Sequence, residues 1–260
     1  MVEIGEVLWN VPLGPTTGMV CVRAPSVARL SRPGQFVHLR LTWLLRRPFS
    51  IAGANADQLC VVYQVVGEGT RVLRSKRKGQ TIEVLGPLGK PFAPNCPEGL
   101  VFVSGGAGLG GVLWPALAQA SRGGDVMIVH GQRDSQFMDA RAAVEAVCDV
   151  AGVAAERIRQ LQATDDGSAH FKGTAVGLLE ELWATGDLPR QPVLGCGPRG
   201  MLAALKAACA GAQVKCYLGM EERMGCGFGT CLGCAVPMAK GGYAHVCTDG
   251  PIFPGEEVVL

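Results

Sequence analysis

The sequence predicts a three-part chain: an N-terminal antiparallel β-barrel over residues 1–96, a central parallel-sheet α/β unit over 97–218, and a small cysteine-rich unit over 219–260. Three observations predict it. Short apolar or alternating runs follow one another as far as Cys96, separated by turn signals such as Pro33-Gly34, Gly67, Gly79 and Gly86-Pro87. After Pro94-Asn95-Cys96-Pro97 strand-like runs alternate with helical ones, the pattern of a parallel sheet with crossover helices. From Gly219 regular periodicity stops and cysteines concentrate.

In the first unit, strands are expected at Glu3–Val11, Gly18–Arg23, Gln35–Leu41, Phe49–Ala52, Leu59–Val66 and Thr81–Leu85. In the second, a buried strand at Leu100–Ser104 leads into a glycine loop and a helix from about Gly111. Strands at Val126–His130, Ile158–Ala163, Pro192–Gly195 and Val214–Leu218 then alternate with helices at Asp134–Cys148, Thr174–Thr185 and Arg199–Cys209. Residues 99–120 contain no charge and are long enough to cross a bilayer. Gly105, Gly106, Gly108, Gly110, Gly111 and Pro115 interrupt them, so they read as strand, loop and helix start.

Hydrophobic residues make up 48% and charged residues 18% of the 260, the composition of a soluble globular protein. A net charge of +2 gives no argument for a nucleic-acid partner. The short basic runs Arg46-Arg47 and Arg74-Ser75-Lys76-Arg77-Lys78 read as solvated turns or strand ends. The N-terminal residues show no secretory signal, so a reducing, cytoplasmic setting is expected for the eleven cysteines. Seven are scattered singly (Cys21, Cys60, Cys96, Cys148, Cys196, Cys209, Cys216) and read as small buried hydrophobes.

The other four are bunched. Cys226-x4-Cys231-x2-Cys234, with twelve residues between it and Cys247, is the plant-type [2Fe–2S] spacing. Gly225, Gly227, Gly229 and Gly233 let the backbone wrap closely and aim amide N–H groups at sulfur. Zinc is the competing metal, but its structural sites usually pair two C-x2-C hooks, whereas three ligands here share one tight loop. His245 would suit a Rieske site only with a second nearby histidine, and His38, His130 and His170 are distant in sequence.

Arg47-Pro48-Phe49-Ser50 combines a guanidinium able to clamp a pyrophosphate with a hydroxyl able to approach a flavin ring nitrogen. Val62-Tyr63-Gln64, followed by Gly69-Thr70, would place Tyr63 on the flavin and Gly69-Thr70 at its phosphates; the plainer reading is a strand and turn. The loop Ser104-Gly105-Gly106-Ala107-Gly108-Leu109-Gly110-Gly111 lies between a strand and a helix, where a pyrophosphate can sit. Its spacing is not a clean G-x-G-x-x-G. Cys196-Gly197-Pro198 ends a strand, where α/β sheets place ligands; Cys196 faces a nicotinamide there or belongs to the core.

Barrel, Arg-x-Phe-Ser, glycine loop and Gly195-Cys196-Gly197-Pro198, in that order, resemble the ferredoxin–NADP reductase superfamily. With Met220-Glu221-Glu222-Arg223-Met224-Gly225-Cys226 and Val246-Cys247-x-Asp249-Gly250-Pro251 added, the whole chain resembles the electron-transfer subunits of NAD-linked (class 1B) dihydroorotate dehydrogenases. The resemblance implies FAD on the barrel at Arg47, Pro48, Phe49, Ser50, Val62, Tyr63, Gln64, Gly69 and Thr70. It implies NAD contacts around Gly105, Gly106, Gly108, Gly110, Cys196, Gly197, Pro198 and Glu221, the glycine loop being less β-branched than in relatives. It further implies a cluster on Cys226, Cys231, Cys234 and Cys247 facing an FMN-containing catalytic partner in a heterotetramer, with no acid–base residue of this chain expected to act on dihydroorotate. A related reading is the same kind of subunit in a ferredoxin:NADP reductase or sulfide dehydrogenase. Some bifurcating relatives replace one cluster cysteine by Asp, and all four are present here.

Overall fold

The structure, a computed structural model, describes residues 1–43, 45–96 and 99–260. Pro97, the expected first residue of the central unit, lies outside the described residues. The first part contains β1 (Val2–Pro12), β2 (Thr17–Arg23), α1 (Pro25–Leu30), β3 (Phe36–Arg40), β4 (Arg46–Ser50), β5 (Gly53–Ala54), β6 (Gln58–Gln64), α2 (Glu68–Ser75) and β7 (Thr81–Leu88). Its strands form one antiparallel sheet, β4-β3-β7-β1-β2-β6-β5, which curls until β4 faces β6. Val7, Val20, Val22, Val37, Leu39, Leu59 and Val61 fill the interior and are fully buried. Each such side chain contributes about 1.5–3 kcal/mol on burial.

The barrel strands are all present, and two short helices join them. Proline at the first turn starts α1. The start of α2 reads as a turn in the sequence because of Gly67 and Gly69, yet Thr70 organises it: its Oγ1 accepts the amides of Val66 (2.9 Å) and Gly67 (3.2 Å).

The second part holds β8 (Val101–Gly105), α3 (Leu109–Ala120), β9 (Val126–Gln132), α4 (Ala140–Ala151), β10 (Ile158–Thr164), β11 (Phe171–Lys172), α5 (Ala175–Thr185), β12 (Val193–Cys196), α6 (Arg199–Gly211) and β13 (Cys216–Gly219). These strands pair in parallel in the order β11-β10-β9-β8-β12-β13. Every residue of β8 is buried, which explains its unbroken apolar run. The helix expected from Asp134 begins only at Ala140, where Asp139 caps it by accepting the Ala142 amide at 2.9 Å.

Helices α3 and α4 cover one face of this sheet and also meet the barrel. Leu113, Leu117, Val144 and Val147 share a core with Met19, Ala52 and Val62. That shared core is why β6 is buried along both faces rather than alternating. On the other face, α5 and α6 share a core with residues 219–260, through Val236, Val246, Phe253 and Val258. Those last residues form a hairpin of β14 (Ala235–Pro237) and β15 (Tyr243–His245), and β16 (Ile252–Pro254) extends the parallel sheet antiparallel to β13.

Candidate functional site

A cleft of about 500 Å³ opens where β4 faces β6. Arg47, Pro48, Phe49 and Ser50 line it from one strand, and Val62, Tyr63 and Gln64 from the other. Thr70 lies at its edge in the first turn of α2. The N-terminus of α2 and the Arg47 side chain converge there: a Cβ on Gly69 would stand 3.6 Å from Arg47 Cγ and 3.7 Å from its Nε. Amide N–H groups at a helix start beside a guanidinium make a pyrophosphate-binding corner. The Tyr63 ring is packed in the barrel core and its hydroxyl donates to Asn10 Oδ1 at 2.8 Å.

A second cavity, about 460 Å³, lies at the C-terminal ends of β8, β9 and β12. The sheet order reverses between β8 and β12, so this is the crevice where open α/β sheets bind ligands. Gly105, Gly106, Gly108, Gly197 and Pro198 line it, and Gly110 lines the barrel cleft instead. Gln64, Ala107 and Glu221 belong to both cavities, so the two adjoin. Crowding by the cleft walls pushes the Glu221 carboxyl pKa up; water still reaches the side chain, which limits that push.

Cys196 lines neither cavity. It is buried at the end of β12, with Sγ 2.6 Å from the position a Cβ on Gly111 would take. Gly111 is therefore a close-approach glycine between α3 and β12. Burial, then the Glu221 charge, raises the Cys196 thiol far above its ordinary range, the property of a core residue.

Sequence reasoning missed a buried relay at this crevice. Ser104 Oγ lies 2.9 Å from His130 Nδ1, and His130 Nε2 lies 3.3 Å from Gln132 Oε1 in the cavity wall. Full burial holds His130 down at about 4, against the opposing pull of its Gln132 hydrogen bond, so it is neutral at pH 7. The available signal was the position of His130-Gly131-Gln132 at the carboxyl end of a central strand. A larger hollow, about 650 Å³, lies along Pro91–Pro94 and the back of α3. It contains none of the expected residues, so volume alone does not mark the site.

Met220–Met224 form the remaining wall of the barrel cleft and run straight into Gly225-Cys226. The four clustered cysteines stand as two pairs. Cys226 and Cys231 adjoin, with the Cys231 amide donating to Cys226 Sγ at 3.4 Å. Cys234 and Cys247 lie Sγ to Sγ at 3.3 Å. Partial burial raises the Cys226 thiol, but the amides of Cys231, Phe228 and Thr230 and the Cys231 thiol outweigh it, bringing it down to about 6. Burial and the Cys234 thiol push Cys247 up to about 12. Among the described residues no three metal-ligating side chains close around one ion position. Two thiol pairs under inward-pointing amides fit a two-iron group better than a single tetrahedral zinc. The backbone amide of His245 donates to Asp249 Oδ2 at 2.7 Å, bracing the loop before Cys247.

Residues 221–259 match the iron–sulfur cluster binding domain of dihydroorotate dehydrogenase B. The electron transfer subunit of Bacillus velezensis dihydroorotate dehydrogenase B (NAD(+)) is 37% identical over 245 residues, covering 90% of each chain. That of Desulforamulus reducens is 34% identical over 264 residues, covering 98% of this chain and 97% of the relative. The chain belongs to the family of dihydroorotate dehydrogenase B electron transfer subunits. Solved structures agree with the fold of such a subunit. A chain of the NADH-dependent reduced ferredoxin-NADP oxidoreductase superposes with a TM-score of 0.84 at 28% identity, over 98% of this chain and 89% of that one. A Neisseria gonorrhoeae ferredoxin NADP+ reductase shares the fold at a TM-score of 0.62 and 17% identity, over 81% of this chain and 91% of that one. The family match spans all four cysteines. Among the described residues, no helix of this electron transfer subunit is long and apolar enough to cross a membrane.

Proposed function

We propose that this chain takes electrons from a catalytic partner subunit that oxidises dihydroorotate to orotate and delivers them to NAD⁺, with FAD and a [2Fe–2S] cluster as resident groups. One observation carries the reading: the barrel cleft shares Gln64, Ala107 and Glu221 with the glycine-loop cavity on one side, and on the other is walled by the segment that leads into Cys226. Sites for nicotinamide, flavin and cluster in that order would adjoin one another.

FAD, when bound, supplies the exchange between hydride pairs and single electrons. Arg47 and the first turn of α2, with Gly69 and Thr70, hold its pyrophosphate, and Pro48, Phe49, Ser50, Val62 and Gln64 bound its ring system. Tyr63 supports that wall from the core. Gly105, Gly106, Gly108, Gly197 and Pro198 leave backbone room for the dinucleotide, Gly110 lets α3 approach β6, and Glu221 faces the junction of the two ligands. Cys226, Cys231, Cys234 and Cys247 would hold the cluster as its thiolate ligands. No side chain here acts on dihydroorotate; that chemistry belongs to the FMN-bearing partner, in an assembly of two copies of each subunit.

The partner docks at the cluster loop. Cys231 is exposed there, flanked by Phe228 at 57% exposure and Leu232 at 59%, apolar side chains poorly suited to permanent contact with water. The names of the relatives at 34–37% identity favour dihydroorotate over the ferredoxin-linked reading. Co-expression with the FMN subunit tests the choice. A co-purifying pair should reduce NAD⁺ when given dihydroorotate, and a pair inert to dihydroorotate but active with another donor contradicts it.

A further inference from the structure

His38 lies in the middle of β3 with no exposed surface, and among the described residues neither ring nitrogen has a hydrogen-bond partner. Burying a polar atom unpaired forfeits its hydration, so such a placement calls for an explanation. Its surroundings supply one. The ring lies directly beneath the cluster loop: a Cβ on Gly227 would be 2.8 Å from His38 Cε1 and 2.9 Å from Nε2. Gly227 has φ +84° and directly follows Cys226, so the loop closes over the imidazole only with glycine there. On its other side His38 pairs across the sheet with Pro48, a wall residue of the flavin cleft. Phe36, at 5.8 Å between ring centroids, and Leu88 complete an apolar surround. Burial, reinforced by the nearby Arg46 guanidinium, holds His38 down at about 4, so the ring is neutral and presents one N–H donor and one acceptor. Arg46 is itself bound to Glu83.

We propose that His38 is a positioning residue for the cluster: the barrel's hydrogen-bond donor to the sulfur site enclosed by the Cys226–Cys231 loop, raising the cluster's reduction potential. The inference rests on reading the four cysteines as the cluster ligands. Hydrogen bonds to cluster and cysteine sulfurs stabilise the extra negative charge of the reduced state, so loss of one donor makes reduction harder. The test is a redox titration of the full chain, followed by electron paramagnetic resonance, in wild type, His38→Leu and His38→Gln. In iron-replete His38→Leu the reduced-to-oxidised ratio at a fixed poise should fall about tenfold, 59 mV for a one-electron couple. His38→Gln, which keeps an N–H donor, should restore most of it. An unchanged ratio in iron-replete His38→Leu overturns the proposal.

Should His38→Leu fail to assemble the cluster, a second measurement decides. With 15N-labelled histidine in a His245→Gln background, the reduced cluster should show a weak imidazole coupling that His38→Gln abolishes; no coupling overturns the proposal. Wild-type protein without iron or acid-labile sulfide would instead defeat the cluster reading beneath it, leaving iron-loaded but unshifted variants as the specific failure of this inference.

Discussion

Cys231 is exposed while Cys234 and Cys247 are buried, so the cluster loop can lose this ligand with little effect on the packed core. Cys231→Ser should lose the cluster's iron and paramagnetic signal yet still reduce dyes with NADH through FAD, because β4, β6 and α2 line the barrel cleft and only Met220–Met224 join it to the cysteine loop. Loss of both activities would show that the cofactor sites are coupled. Arg47 offers the opposite contrast. A charge-assisted hydrogen bond is worth about 1.5–3 kcal/mol, so Arg47→Ala should weaken FAD binding about 10- to 150-fold. Arg47→Lys should recover only part, since an ammonium cannot replace a planar fork; fluorescence titration of the apoprotein measures both. The gathering of three cysteines in one loop and of Arg47–Ser50 on one cleft wall was legible because each group is close in sequence. Tyr63 was legible only by position, since its hydroxyl is satisfied by Asn10, distant in sequence. His38 left no such trace, because only the packing of the cysteine loop on the barrel brings Gly227 to it, and Ser104 meets His130 only through the pairing of β8 with β9.

Among elements, α2 shows how a short helix hides in a β-rich stretch. Thr70→Val should remove the hydroxyl that holds its first turn, costing about 1–2 kcal/mol and shortening FAD residence, checked by thermal melting with and without added FAD. The carboxyl ends of β8 and β9 carry a pH dependence. His130 has a native pKa of about 4 against about 6.5 unfolded, so the unfolded chain takes up the proton first as pH falls. The stability this residue contributes is whole above the unfolded value and is lost between the two, up to about 3 kcal/mol. Urea midpoints should therefore drop more between about pH 7 and pH 5 for wild type than for His130→Asn; parallel drops would contradict the assignment. The parallel pairing was readable from strand–helix alternation, whereas the antiparallel addition of β16 was not, since three residues after an irregular cysteine segment carry no periodic signal.

For the whole molecule, shared cores join the barrel to α3 and α4, and the cysteine-rich residues to α5 and α6. The two cavities adjoin through Gln64, Ala107 and Glu221, and Phe228 and Leu232 stand exposed on the loop between Cys226 and Cys234. Replacing both by Ser should weaken association with the FMN subunit by tenfold or more, about 1.4 kcal/mol, while iron and FAD contents stay as they are. Gel filtration of the mixed subunits reports this; undiminished association would place the docking face elsewhere. The central claim is that the flavin cleft connects the dinucleotide cavity to the four thiols. Its most direct test is anaerobic addition of NADH to the isolated full chain, followed by optical and electron paramagnetic resonance spectra. The account predicts flavin bleaching together with the signal of a reduced [2Fe–2S] cluster, the second vanishing and the first persisting in Cys231→Ser. Flavin bleaching in iron-replete wild type with no cluster signal under any poise would contradict it.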